Sequence, residues 1–146
     1  MNQLPNIAAM LRAQQVQALL LTNDAPESIQ YATGFGGLEG MVLITAAGKG
    51  FVLTDSRYIE AARARLTPLG FAVSVPPQGG PSAPALRALL EGEQITRLAF
   101  LAQCMSVQTH QRLTAALPDC TLEPLGEGLT RLRQVNDQDE IACLRQ

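Results

Sequence analysis

The chain has 146 residues with 11 basic and 13 acidic side chains, so its formal net charge is −2. A chain of roughly 150 residues can form one domain with its own core. Its composition, 47% hydrophobic and 16% charged, is that of a globular protein. Because there is no basic excess to neutralise phosphates, a dedicated nucleic-acid or anionic-membrane binder is disfavoured.

Cysteine and histidine content narrows the possible chemistry further. His110 is the sole histidine in the sequence, which excludes a zinc site built from two histidines. Three cysteines without a C-x-x-C motif, Cys104, Cys120 and Cys143, fit a reducing compartment better than a disulfide framework.

The N-terminus lacks the apolar core of an export signal, and apolar runs such as residues 18–21 are far shorter than the ~20 residues that span a bilayer. We therefore predict a cytoplasmic protein.

The first elements follow from apolar periodicity and capping residues. Apolar residues from Leu4 to Val16 recur at helical spacing, and residues 18–22 form a short buried strand after them. Asp24 can cap a second helix, and Glu27 three residues later completes a capping-box pattern. The pattern predicts helix, strand and helix in that order.

Two apolar runs then form a predicted β-hairpin. Residues 41–45 and 51–54 are separated by residues 46–50, which contain two glycines. Asp55 can cap the helix that follows. The apolar face of this helix is predicted to hold Tyr58, Ile59, Ala62 and Leu66.

The second half of the chain repeats the alternation. We predict strands at residues 71–75, 98–101 and 121–124 and helices at residues 85–90 and 106–117. Gly92 is expected just past the end of the first of these helices, and Ser106 can cap the second. The fold predicted is a three-layer α/β/α domain whose mixed sheet contains one antiparallel hairpin.

The last residues predict a helix that is barely begun. Asn136 or Asp137 can cap it, and Ile141 and Leu144 start an apolar stripe about two turns before Gln146. One interpretation is a short helix docked on the core. The other is a helix that continues into a further domain.

A glycine-rich segment, residues 34–40, superficially resembles a dinucleotide-binding loop. A Rossmann fingerprint needs a glycine where Glu39 stands, and it must follow a strand and open a helix. Here the segment follows a predicted helix and precedes a predicted strand. We interpret it as a tight connection that needs positive φ angles.

Two candidate nucleophiles lack the partners that catalysis requires. Ser106 and His110 lie four residues apart on one predicted helix, but no G-x-S-x-G motif or orienting acid accompanies them. Ser106 is therefore interpreted as a cap and His110 as a surface or half-buried side chain. Cys104 has no basic neighbour to lower the pKa of its thiol, and we predict a buried structural thiol.

Residues 54–58, with the sequence TDSRY, form the most suggestive local segment. They follow a predicted strand and precede a helix, where α/β folds commonly place their sites. Arg57 offers a planar fork of donors for a carboxylate, and Tyr58 offers a hydroxyl beside an apolar ring. The alternative is that Asp55 is a cap and Arg57 forms a surface or interdomain ion pair.

Three segments carry a family resemblance. Residues 24–35, DAPESIQYATGF, resemble the "peN-I-x-Y-x-T-G-F" segment of the creatinase/prolidase N-terminal domain, and residues 54–61 resemble its "T-D-g-R-Y-x-e-q-A". Residues 132–145 are similar to its "l-R-x-i-K-s-x-x-E-I-x-x-x-R" stretch. The departures are Ser28 for the usual Asn, Ser56 for the usual Gly, and Asn136-Asp137 for the usual Lys-Ser.

This resemblance implies a ribonuclease-H-like N-terminal domain at residues 1–131, with residues 132–146 leading into a C-terminal metallopeptidase domain that lies beyond this sequence. That domain is expected to hold two divalent metals (manganese, cobalt or zinc) on two Asp, one His and two Glu. No catalytic or metal-binding residue, and no cofactor, is expected in these 146 residues.

The resemblance also implies partners and a role. The N-terminal domain would pack on its own catalytic domain, promote a homodimer and wall the entrance for a proline-containing peptide substrate of an Xaa-Pro dipeptidase or aminopeptidase P. The candidate substrate-entrance or interdomain residues are Asp55, Arg57, Tyr58, Tyr31 and Phe35. Alternatives are a free-standing binding or dimerisation module and the N-terminal domain of a creatinase-like amidinohydrolase.

Overall fold

The computed structural model describes residues 2–77 and 79–125, together with Leu129 and Leu132. The predicted capping residues Asn136 and Asp137 lie outside the described residues, as does Cys143. The prediction of a helix leading into another domain, and the domain boundary at residue 131, therefore stay predictions.

In the part of the chain that the structure describes, six strands form one mixed sheet. They are β1 (Ala18–Leu21), β2 (Met41–Thr45), β3 (Gly50–Leu53), β4 (Phe71–Ser74), β5 (Arg97–Leu101) and β6 (Thr121–Leu125). Their order across the sheet is β4-β3-β2-β1-β5-β6. Every predicted strand is present within one or two residues of its predicted ends.

One strand runs against the other five. β2 pairs antiparallel with both β1 and β3, whereas the pairs β1–β5, β5–β6 and β3–β4 are parallel. The predicted hairpin is therefore confirmed as β2–β3. Because five strands share one direction, their carboxyl ends meet at one edge of the sheet, which we call the carboxyl edge.

Within residues 2–77 and 79–125, five α-helices cover the two faces of this sheet. They are α1 (Leu4–Ala13), α2 (Pro26–Thr33), α3 (Ile59–Leu66), α4 (Ala83–Gly92) and α5 (Val107–Ala116), and a short 3-10 turn (Thr67–Leu69) follows α3. Buried residues of α1, α2 and α3 pack in one core cluster, and those of α4 and α5 in another. The three-layer α/β/α prediction is confirmed.

Alternation along the central strand builds both cores. Leu19 and Leu21 of β1 belong to the cluster under α1, α2 and α3. Ala18 and Leu20 belong to the cluster under α4 and α5. Because successive side chains point to opposite faces of a strand, a continuous apolar run is what a strand buried on both sides requires.

Two helix starts differ from the predicted capping. Ala25 is the N-cap residue of α2 and Tyr58 that of α3, and neither cap makes a side-chain hydrogen bond. The carboxylate of Asp24 instead accepts a hydrogen bond from the backbone N–H of Ser106, at 3.0 Å. Asp55 closes a turn three residues before the N-cap, because its side chain accepts from the N–H of Arg57. Both carboxylates therefore stabilise loops and do not cap the helices α2 and α3.

Two helix ends also differ from prediction. Val16 is buried but lies beyond α1, which ends at Ala13. Gly92 is the last residue of α4 rather than the residue after it, and α4 begins at Ala83, earlier than predicted, because the Ser82 side chain caps it.

The predicted Ser106 cap of α5 is confirmed, with its hydroxyl accepting from the Thr109 N–H.

Candidate functional site

The loops at the carboxyl edge bring the predicted site segment next to the glycine-rich segment. Residues 54–58 leave the carboxyl end of β3, and residues 34–40 enter β2 beside them. The register pairs Met41 with Leu53, so continuing the antiparallel pairing outward places Glu39 opposite Asp55. Two segments far apart in the sequence thus form one surface.

The glycine-rich segment is a tight connection, as predicted. Gly34 ends α2 with a φ of 73°, and Gly37 takes a φ of 81°. Gly40 takes a φ of 154°, and a Cβ there would collide with the carbonyl oxygen of Leu53. Glycine is required at this last position because the backbones of β2 and β3 approach closely.

Two hydrogen bonds hold the end of this segment in place. The Asn23 side-chain oxygen accepts from the N–H of Gly40 at 2.8 Å. The hydroxyl of Thr54, a fully buried residue, donates to the carbonyl oxygen of Glu39 at 2.8 Å. The backbone of Glu39 is therefore fixed from both sides, which positions its carboxylate.

Arg57 lies between two carboxylates from these two segments. Its Nε donates to Asp55 Oδ1 at 3.1 Å, and its Nη2 donates to Asp55 Oδ2 at 2.8 Å. Nη2 also donates to Glu39 Oε2 at 2.8 Å. The guanidinium carbon stands 5.1 Å from the centre of the Tyr58 ring. We call these four residues, Glu39, Asp55, Arg57 and Tyr58, the Arg57 cluster.

The Arg57 cluster is exposed, and its charges shift each other's ionisation. The side chains of Arg57 and Glu39 are 64% and 54% exposed, against 19% for Asp55. Hydrogen bonds from Arg57 hold the pKa of Asp55 below its ordinary value, and hydrogen bonds to Asp55 and then Glu39 raise the pKa of Arg57. The pair therefore loses its contribution as the pH falls through the lowered pKa of Asp55, and salt weakens it.

Asp55, Arg57 and Tyr58 are near neighbours in the sequence, whereas Glu39, which also binds Arg57, was not among the predicted site residues. The open alternative of a surface ion pair is what the described contacts show, since the donor fork of Arg57 binds carboxylates of its own chain. The missing signal was the hairpin register, which places Glu39 opposite Asp55. Whether this surface faces another domain or subunit stays a prediction.

Tyr31 and Phe35 have contacts of a different kind. The Tyr31 hydroxyl donates to the side-chain oxygen of Gln3, which precedes α1. Phe35 is 8% exposed and packs in the core, with Arg65 above its ring at 4.6 Å. Arg65 also donates to the carbonyl oxygen of Gly34, which holds α3 against the end of α2. Their proposed role at a substrate entrance stays a prediction.

The remaining candidate nucleophiles occupy structural positions. The Ser106 hydroxyl donates to Thr109 in addition to capping α5. His110 is half-buried, as expected, and its ring stands 5.0 Å from that of Phe100. The prediction of a buried Cys104 is wrong, because this residue is exposed in the loop after β5.

The described part of the chain contains no set of side chains suited to bind a metal ion. Among those residues, no group of three or more His, Cys, Asp or Glu side chains could hold a metal ion. The two-metal centre that the family resemblance implies is expected in a further domain, and no reaction step through metals is derived from the described residues. No helix of the described part is long and apolar enough to span a bilayer.

Cys120 lies in a groove of about 220 Å³ on the face covered by α4 and α5. Its thiol donates to the carbonyl oxygen of Ile95 at 3.3 Å. Burial, and then the negative charges of Asp119 and Glu91, raise the pKa of this thiol. Cys120 is thus partly buried, whereas Cys104 is exposed.

We expect iodoacetamide to alkylate Cys104 about tenfold faster than Cys120 at pH 7.5, because Cys104 is exposed whereas Cys120 is partly buried and burial raises the pKa of its thiol. Peptide mass spectrometry after timed quenching measures both rates. Asp119→Asn should accelerate Cys120 alone, and equal rates at pH 7.5 in the parent chain would contradict the prediction.

The comparisons with known proteins agree with this architecture. A sequence model of the Creatinase/Prolidase N-terminal domain matches residues 3–135. The chain belongs to the creatinase/prolidase N-terminal domain family.

Its relatives are peptidases by description. The chain is 28% identical over 131 residues to an uncharacterized peptidase, YqhT, of Bacillus subtilis, covering 90% of this chain and 35% of the relative. The chain thus spans about a third of the length of that relative.

Solved structures share the fold. An Xaa-Pro aminopeptidase from Streptococcus pyogenes superposes with a TM-score of 0.76 at 30% identity, covering 89% of this chain and 94% of that one. An aminopeptidase P from Streptococcus thermophilus gives 0.76 at 27% identity, with coverages of 90% and 95%. An Xaa-Pro dipeptidase from Bacillus anthracis, at 21% identity, shares the fold with a TM-score of 0.77, and the match covers 90% of this chain and 35% of that one.

Proposed function

We propose that this chain is the non-catalytic N-terminal domain of a dinuclear-metal Xaa-Pro peptidase, an Xaa-Pro dipeptidase or aminopeptidase P, that acts in the cytoplasm. The family match over residues 3–135 carries the proposal. It is supported by relatives described as aminopeptidases and by a peptidase relative nearly three times as long as the matched region. Hydrolysis would belong to a C-terminal domain holding two divalent metals.

Within that protein, we assign the Arg57 cluster to a contact that borders the substrate entrance. Asp55 uses Nε and Nη2 of Arg57, and Glu39 shares Nη2. Nη1 donates no hydrogen bond within the described residues, so it can reach a partner group. The two carboxylates fix the direction of the guanidinium. The substrate entrance that this guanidinium borders would belong to the chain's own catalytic domain or to the catalytic domain of a dimer partner.

The test uses the protein encoded by the complete reading frame that contains these 146 residues. With added manganese or cobalt, we expect it to release proline from Xaa-Pro dipeptides or the first residue from longer Xaa-Pro peptides. Light scattering is expected to give a dimer. A reading frame that ends directly after Gln146 would leave a free-standing module, and cleavage of creatine instead of peptides would favour the amidinohydrolase alternative.

Arg57→Ala in that protein should lower kcat/KM for Xaa-Pro peptides by about tenfold. The guanidinium would no longer position the group that it contacts at the substrate entrance. The thermal midpoint should move by less than about 2 °C, since exposed ion pairs contribute little to stability. Arg87→Ala is the matched control. Arg87 is also exposed and paired, at 3.1 Å with Glu91, but lies on α4. Unchanged kinetics with a lowered midpoint would make Arg57 purely structural.

A further inference from the structure

The sheet has two open edges that could recruit a strand from another molecule. Within the described residues, β4 and β6 each pair with one neighbouring strand. An edge strand presents unpaired N–H and C=O groups along its free side, and proteins commonly block such edges. The hydrogen bonds of each edge strand show which of its residues face outward.

On β4, alternate residues face the free side. The Ser74 carbonyl accepts from the Thr54 N–H at 3.0 Å, so Ser74 and, by alternation, Ala72 face β3. The backbone groups of Phe71 and Val73 therefore face outward. Arg63 of α3 crosses to this side and its Nε donates to the Val73 carbonyl oxygen at 3.3 Å. One outward acceptor is already bonded.

On β6, a proline stands at an outward position. The N–H of Thr121 donates to the carbonyl oxygen of Thr96 at 2.7 Å, so Thr121 faces β5. Alternation along the strand then turns the backbone of Leu122 and Pro124 outward. Pro124 has no N–H, so a donor is missing where an added strand would need one.

We infer that Arg63 and Pro124 keep the two edges of the sheet closed to strand addition by a second copy of this chain. A second copy is the partner to be excluded because it carries the same edge. Two β4 strands placed antiparallel would offer each other the outward N–H and C=O groups of Phe71 and Val73 reciprocally, as a two-fold contact requires. Copies of this domain therefore associate through surfaces other than the sheet edges.

Removing either block should strengthen self-association. Sedimentation equilibrium of the 146-residue chain should show Arg63→Ala and Pro124→Val associating at least about tenfold more tightly than the parent chain, because each exposes one more pairing group. Arg63→Lys keeps a donor near Val73 and should behave as the parent does. Arg87→Ala removes an exposed arginine that touches neither edge and serves as the control.

Hydrogen exchange distinguishes strand addition from unspecific aggregation. In the associated Arg63→Ala variant, the outward amides of Phe71 and Val73 should exchange more slowly as concentration rises. In Pro124→Val, slowing should appear at Leu122 and position 124. Variants that associate no more than the parent and the Arg87→Ala control would overturn the inference, and so would association without slower exchange at these amides. Unaltered far-UV circular dichroism verifies that each variant is folded.

Discussion

Gly40→Ala should destabilise the chain by about 3 kcal/mol or more. The new Cβ would collide with the Leu53 carbonyl oxygen, which belongs to the paired backbone of β3 and cannot rotate away. The φ of 154° adds strain for any residue with a side chain. Overpacking and backbone strain each cost about 1–3 kcal/mol. Urea unfolding followed by circular dichroism measures the loss.

Gly37→Ala provides the matched control within the same segment. Gly37 has a φ of 81°, but a Cβ there would meet nothing within 4 Å. Its substitution should cost only the left-handed backbone penalty of about 1–2 kcal/mol. Equal unfolding midpoints for the two variants would show that the close approach of Gly40 to β3 is not what demands glycine.

Leu20→Ala should cost about 3 kcal/mol, a large part of the stability of a domain of this size. Leu20 is 1% exposed on the central strand and packs in the cluster under α4 and α5. Truncation leaves a cavity between a rigid sheet and two helices, which cannot fully close. The free energy of unfolding from urea titrations gives the magnitude.

Val107→Ala is the comparison for this substitution. Val107 is also a branched aliphatic residue, but it is 72% exposed at the start of α5. We expect its replacement to change the free energy of unfolding by less than about 0.5 kcal/mol. If Leu20→Ala were equally mild, the second core would not be tightly packed.

The Arg57 cluster shows where sequence reasoning about the site stopped. The TDSRY segment was recognisable because it follows an apolar run and contains a donor fork beside a carboxylate. The partner acid, Glu39, lies 18 residues before Arg57. A hairpin can be predicted from apolar runs, but its register depends on how the turn and the two faces pack. That register decides which acid meets the arginine.

The predictions of N-cap residues also failed where a hydrogen bond depends on a segment that is distant in the sequence. Asp24 and Asp55 both had the local pattern of an N-cap, yet each accepts hydrogen bonds in a loop. The donor that Asp24 binds is the Ser106 N–H, 82 residues away, which parallel pairing of β1 with β5 brings to the same edge. Ser106 was predicted correctly because its bond to Thr109 is local.

The sequence by itself determined the order and type of the elements, the confirmed hairpin and the two-sided burial of β1. These depend on periodicity and on residues close together in the chain. Only the tertiary structure decided that β2 runs against five parallel strands, that Glu39 shares Arg57 with Asp55, and that Cys104 is exposed. Each of these depends on contacts between distant segments, whose geometry is set by packing and strand register rather than by local pattern.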